Sequence, residues 1–273
     1  MNMKKATRIL IYAVSLIAIL SAGSLFFIEY KIAELNRSEI AVIAHAGGEI
    51  DGNIYTDSLD ALNHSYLQGI RIFELDISKT KDGHFVAVHD WDTWAHQVGY
   101  RGELPPLLSV FKQYKILGKY TPLDFGDINH WFLSHPDAVL VTDKIDNPSA
   151  IVKLFIDSNR LKMELFSEGS IKEAGKSLNG GMANYYTLKK ISKTTFEKFF
   201  FISSVQFLKD NNIRYVVTGR PTSQADRLRL KLLRVSGIKV YMYFFGSNNE
   251  INAQVLEYRD YLDGVYYDKA PAR

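Results

Sequence analysis

Eight short apolar runs bounded by turn residues recur between residues 41 and 268, and this recurrence constrains the fold more than any other feature of the 273-residue chain. They are AVIAHA (41–46), IRIFELDIS (70–78), AVLVTDK (138–144), KMELFS (162–167), MANYYTL (182–188), RYVVTG (214–219), KVYMYFFG (239–246) and GVYYD (264–268). Several gaps carry helical patterns: SLDALNHSYLQ after the first run, PSAIVKLFIDSN after the third, and an Arg, Leu and Lys-rich stretch over 225–235. Strands separated by helical crossovers pair in parallel, so the chain predicts an α/β fold, a (β/α)8 TIM barrel. No Pro-rich, Gly/Ser-rich or single-sign charged linker interrupts residues 41–273, and no internal repeat is visible, so they read as one domain.

One run breaks the alternation. GHFVAVHD (83–90) follows the second strand after only four residues, too few for a parallel crossover. It is expected to fold back antiparallel through an Asp82-Gly83 turn, carrying His89 toward the C-terminal end of the barrel, where such enzymes place their sites.

Ahead of the barrel, residues 9–28 hold no charge, and twenty helical residues match the roughly 30 Å hydrocarbon core of a bilayer. Lys4, Lys5 and Arg8 precede this segment, and balanced charge follows it. The positive-inside bias therefore keeps residues 1–8 cytoplasmic, with residues 29–40 as a linker and the barrel outside the cytoplasm on a single-pass anchor. A secretory signal cleaved among the small residues Ser21, Ala22, Gly23 and Ser24 is the alternative, although the apolar run continues past them.

Composition narrows the chemistry. With 33 Lys plus Arg against 30 Asp plus Glu, the formal charge is only +3, which argues against a nucleic-acid partner. The chain has seven His and no Cys, so any metal must be held by oxygen and imidazole. In IRIFELDIS the period of two sends Ile72, Glu74 and Asp76 to one face and Arg71, Phe73, Leu75 and Ile77 to the other. Two carboxylates pointing into a barrel repel each other and need a cation or a proton to relieve it, a hard divalent ion being the natural partner. Taken alone, the pair also reads as surface acids beside Arg71. His45 ends the first run ahead of Gly47-Gly48, and His89 ends the antiparallel run, so two imidazoles could meet at one mouth for acid–base work. His64, His84, His96, His130 and His135 fall in helices, loops or the other strand face and suggest no chemistry.

The order AHAGG (44–48), YTDSLDAL (55–62) and GIRIFELDISKTKDGHFVAVHDWD (69–92) closely resembles the glycerophosphodiester phosphodiesterase family. That family's pattern is His-Arg-Gly, an Asn-Ser/Thr-x-x-Ala helix start, Glu-x-Asp, and Thr-x-Asp-Gly-x-x-Val-x-x-His-Asp. Weaker echoes at VLVTDKID (139–146) and LDGVYYDKAP (262–271) stand where the family has a Glu-x-Lys strand and a closing Asp-Gly-x-x-x-Asp-x-Pro. The resemblance implies a TIM-barrel phosphodiester hydrolase with His45 and His89 as the acid/base pair. It implies Glu74, Asp76 and Asp143 as ligands of calcium or magnesium, and Lys144 with the backbone at Gly47 on the substrate phosphate.

Three departures stand out. Ala46 replaces the family's Arg, Asp57 replaces its Asn, and Asp143-Lys144 lacks the intervening residue. Neighbours on a strand face opposite sides, so both reach the site only if the strand twists or ends there. The expected activity is hydrolysis of glycerophosphodiesters or related lipid and envelope phosphodiesters. The alternative is a catalytically impaired barrel with a binding or assembly role in surface-polymer biogenesis.

Overall fold

A computed structural model describes residues 3–191, 194, 197, 200–246 and 248–268. Pro271 of the closing motif lies outside the described residues. Helix α1 (Met3–Leu35) leads into β1 (Ala41–Ala44), α2 (Leu59–Leu67), β2 (Ile72–Lys79), β3 (Phe85–Ala87), α3 (Trp91–Val98), α4 (Leu108–Phe111) and α5 (Phe125–Ser134). Next come β4 (Val139–Asp143), α6 (Pro148–Leu154), β5 (Leu161–Leu165), α7 (Glu168–Ser177), β6 (Gly181–Asn184), α8 (Tyr185–Ile191) and α9 (Ile202–Asp210). The chain continues through β7 (Tyr215–Thr218), α10 (Gln224–Val235), β8 (Lys239–Tyr243), α11 (Asn248–Glu257) and β9 (Gly264–Tyr267).

The strands pair in parallel in the order β1-β9-β8-β7-β6-β5-β4-β2, and β1 pairs with β2 to close an eight-stranded TIM barrel. Strand β3 lies antiparallel on β2, with Ile77 opposite Ala87, as the short connection requires. Gly83 turns this hairpin at a φ of 85°.

Alternation along each strand divides the apolar residues between two layers. Ile43, Val141, Met182, Val217, Tyr241 and Tyr266 pack together inside the barrel. Phe73, Leu75, Ile77, Leu140 and Met163 point outward and are buried under the helices. Each such side chain contributes about 1.5–3 kcal/mol by leaving water. The run MANYYTL is shorter as a strand than its composition suggests. Asn184 Oδ1 accepts the Tyr186 N–H, α8 begins at Tyr185, and the buried Tyr185 hydroxyl donates to Asp226 Oδ1 at 2.6 Å.

Residues 29–35 are not extended chain but the last two turns of α1. Ile32 is buried, and Ile28, Lys31 and Leu35 are half-buried on the same face, which is the i, i+3, i+4, i+7 spacing of a docked helix. Lys231 of α10 donates to both carboxylate oxygens of Glu29. Arg234, with no exposed side-chain surface, donates to Asp263 Oδ1, Asn36 Oδ1 and the Arg259 carbonyl. Residues 11–35 form a helix long and apolar enough to cross a membrane. The small residues Ser21, Ala22, Gly23 and Ser24 lie inside this unbroken helix.

Candidate active site

The C-terminal ends of the strands enclose a cavity of about 250 Å3 lined by His45, Tyr55, Glu74, Asp76, His89, Asp143, Lys144, Glu164, Asn184 and Tyr266, with Phe166, Tyr243 and Phe245 completing the wall. Each element delivers its residue for a local reason. Glu74 and Asp76 share the inward face of β2 with Ile72. Asp143 sits beside Asp76 because β2 and β4 pair in the register Asp76 to Asp143. Strand β4 ends there, and Lys144 turns into the left-handed region at a φ of 64°. That turn brings two chain neighbours to one cavity, which a continuing strand would not do.

Glu74, Asp76 and Asp143 each offer an oxygen within 4.8 Å of the others, a group that could hold a metal ion. Glu74 and Asp76 are buried, so their mutual repulsion is poorly screened. Glu74 Oε2 accepts the Ala46 N–H at 2.8 Å, but Glu74 Oε1 and Asp76 Oδ2 are buried without a hydrogen-bond partner. Burial holds the Glu74 carboxyl well above the usual range, with the Asp76 and Asp143 charges adding to it. Burial and then Asp143 push Asp76 up to about 6. Orphaned, buried carboxylate oxygens beside a third acid fit a hard cation with an all-oxygen donor set.

Asp57 lies beneath this group. Its Oδ1 accepts the Asp76 N–H at 3.0 Å, while Oδ2 is buried and unpartnered. Burial, reinforced by Asp76, holds its carboxyl well above the usual range. Glu164, also buried and raised by burial and then Asp143, is bonded by the Tyr266 hydroxyl at 2.5 Å.

Each imidazole at the mouth is held by a carboxylate. His45 Nδ1 meets Asp268 Oδ1 at 3.0 Å, and His89 Nδ1 meets Asp90 Oδ2 at 2.8 Å. Asp90 has a second task, since its Oδ1 caps α3 by accepting the Thr93 N–H. A neutral ring with its proton on the carboxylate-facing Nδ1 leaves Nε2 as the free acceptor. Tyr55 stands edge-on to both rings, its centroid 4.7 Å from that of His45 and 5.6 Å from that of His89.

Six of the seven residues singled out from sequence therefore line one cavity, and Gly47 does not. It is buried against α2, where an added Cβ would lie 3.3 Å from Ala61 Cβ. The neighbouring amides are committed, with Ala46 N–H on Glu74 and Gly48 N–H on the His45 carbonyl at 2.7 Å. Ala46 is fully buried at a φ of 47°, and its carbonyl accepts the Asp57 N–H, so this residue is a strut between Glu74 and Asp57. Arg71 pairs with Asp137 rather than with the inward acids, which removes the surface reading of Glu74 and Asp76. His64, His84, His96, His130 and His135 do not line the cavity.

Sequence reasoning assigned no role to Asp57, Asp90, Glu164, Tyr55, Tyr266 or Asp268. Asp268 was visible as the second acid of the closing motif, and Glu164 as a lone carboxylate on the inward phase of a buried strand. Tyr55 carried no signal, because its position depends on a φ of 56° in the loop after β1.

No protein-family model matches the chain, and no curated protein matches it in sequence. Its fold is that of solved glycerophosphodiester phosphodiesterases. A glycerophosphoryl diester phosphodiesterase from Parabacteroides distasonis is 17% identical with a TM-score of 0.64, over 89% of this chain and 88% of that one. The enzyme from Thermotoga maritima is 18% identical with a TM-score of 0.62, over 85% and 96%. A phosphodiesterase from Oleispira antarctica, solved with its product sn-glycerol-3-phosphate, is 16% identical with a TM-score of 0.62, over 83% and 92%.

Proposed function

We propose that the chain is a metal-dependent phosphodiester hydrolase, anchored in a membrane by residues 9–28 with its barrel outside the cytoplasm, acting on glycerophosphodiesters or related lipid and envelope phosphodiesters. The observation that carries this reading is the pair of orphaned oxygens on Glu74 and Asp76, beside Asp143 and between two carboxylate-held imidazoles. Glu74, Asp76 and Asp143 would hold calcium or magnesium, which when bound acts as a Lewis acid on a phosphoryl oxygen.

The chain's own groups supply the remaining chemistry. One imidazole takes the proton of the attacking hydroxyl, either of water or of the substrate's own neighbouring alcohol, at Nε2. The other gives a proton to the departing alkoxide as the phosphorus–oxygen bond breaks. Asp268 and Asp90 hold both rings with Nε2 toward the cavity, unprotonated on the ring that acts as base and protonated on the ring that acts as acid, and stabilise the imidazolium of each. Lys144, exposed at the cavity wall, places a positive charge where the phosphate would lie. The continuous helix from the apolar segment into the barrel supports retention of the anchor over cleavage.

The test is a screen of the full chain, reconstituted in lipid, against a panel of phosphodiesters with and without divalent ions. Turnover that needs a divalent ion supports the reading. No turnover of any diester with any ion would overturn it in favour of a binding barrel.

A further inference from the structure

The direction of α1 relative to the barrel says what the cavity faces. Asn36 meets Arg234 near the end of α10, and Glu29, two turns earlier, meets Lys231, one turn earlier. The two helices therefore run side by side in the same sense. Helix α10 starts after the C-terminal end of β7 and ends ahead of β8, so its first turn lies at the mouth of the barrel. Residues 11–28, about 27 Å of helix, then continue from the Lys231 level toward the mouth side. Gln224 lies about 10 Å from Lys231 along α10, so the rim stands on the side of Lys231 toward which the apolar segment runs.

The rim has the surface such a position needs. Phe166 follows β5, Tyr186 follows β6, Phe200 and Ile202 stand at the start of α9, and Phe245 follows β8, all with more than a third of their surface exposed. They occupy the β5–β8 sector, α1 docks on α10 at the β7–β8 side of it, and Phe166 and Phe245 also line the cavity. Arg220 after β7 is exposed at the same rim. Aromatic rings with a basic side chain suit the headgroup layer of a bilayer carrying anionic lipid. Exposed aliphatics also occur at the opposite end of the barrel, among them Leu133 and Leu256, but α1 leads away from that end.

We infer that the cavity opens onto the bilayer that holds α1, and that its substrate is a phosphodiester carried on a lipid of that bilayer. The substrate half rests on the phosphodiesterase reading, whereas the docking half does not. A headgroup would enter between Phe166 and Phe245 while the acyl part stays in the membrane.

The cysteine-free chain allows a direct test. The full-length protein is placed in liposomes of zwitterionic and anionic lipid, with one cysteine from Phe245→Cys, Ile202→Cys, Leu133→Cys or Leu256→Cys carrying an environment-sensitive fluorophore. Spin-labelled lipid should quench positions 245 and 202 severalfold more than 133 and 256. Stronger quenching at 133 and 256, or none at any position, overturns the inference. Liposome-borne glycerophospholipid and its soluble deacylated diester are then compared as substrates. The double variant Tyr186→Ser, Ile202→Ser should lose tenfold or more on the lipid and keep its rate on the soluble diester. A wild type that hydrolyses only the soluble diester overturns the substrate half alone. One that hydrolyses neither overturns the phosphodiesterase reading, and the quenching result still decides the docking.

Discussion

Asp268 holds His45 from the far end of the chain, its Oδ1 lying 3.0 Å from Nδ1 across 223 residues of sequence separation. Both groups are largely enclosed, so the pair fixes which nitrogen of the ring faces the cavity.

Asp268→Asn replaces a pure acceptor with a group whose amide can donate to Nδ1, which drives the ring proton to Nε2 and removes the free base. Turnover should fall by about 10²–10⁴ with a much smaller change in KM. His45→Ala should fall at least as far, and combining the two should add little, because they act as a unit. Steady-state kinetics on a diester that the wild type hydrolyses would decide it. Near-wild-type kcat in Asp268→Asn would remove this residue from the mechanism.

The raised carboxyls give the protein a pH signature when divalent ions are chelated. Asp76 is pushed up to about 6 from an ordinary value of 3.8, so between those values the folded chain binds more protons than the unfolded one. Stability should therefore fall as pH rises from about 4 to about 6. Calcium or magnesium should restore the loss above pH 6, and Glu74→Gln should abolish most of the ion-dependent rise in Tm. Thermal melts across pH with chelator and with each ion are the check. A Tm indifferent to divalent ions at pH 7 would remove the cation from this site.

The barrel was legible in the sequence because each strand wears its two environments in alternation. Ile72, Glu74 and Asp76 on one phase and Phe73, Leu75 and Ile77 on the other are enough to say which side meets the helices. The site was legible where its residues sit on strands, as with Glu74 and Asp76. It was not legible where loop geometry or distant chain supplies the partner. Lys144 was named through the resemblance and reaches the cavity because β4 ends in a left-handed turn, whereas Tyr55 depends on a left-handed turn that nothing in the sequence marked. Asp57 became buried support for Asp76 through a single hydrogen bond that no local pattern encodes. Strand ends were the weakest reading, because Tyr185 and Phe244 are as strand-like in composition as the residues before them.

Lys144→Asn separates charge from backbone shape, since Asn tolerates the left-handed conformation that Lys144 adopts. A charge-assisted contact to phosphate is worth roughly 1.5–3 kcal/mol, so KM should rise about ten- to a hundredfold while kcat changes less. Lys144→Arg should recover part of the loss. A variant with unchanged KM and kcat would show that the phosphate is held without this residue.

Arg234 joins α1 to the barrel, and its truncation should be felt by both. The guanidinium is fully buried, donates twice to Asp263 Oδ1 through Nε and Nη2, and reaches Asn36 Oδ1 and the Arg259 carbonyl. Asp263 in turn accepts the Val240 N–H at the start of β8, and its carbonyl accepts the Ala41 N–H at the start of β1, so one cation ties three strands to the end of α1. Arg234→Ala leaves the Asp263 carboxylate without its partner and opens a gap beneath α1, a loss of about 3–5 kcal/mol. Arg234→Lys, which keeps the charge but not the planar fork, should recover only part of it. In lipid-reconstituted protein the variant should unfold earlier in denaturant, and limited proteolysis should cut between Leu35 and Ala41 before it cuts within the barrel. Equal denaturation midpoints and unchanged cleavage order for Arg234→Ala would mean that α1 and the barrel are held together by Ile32 and Glu29 without this clamp.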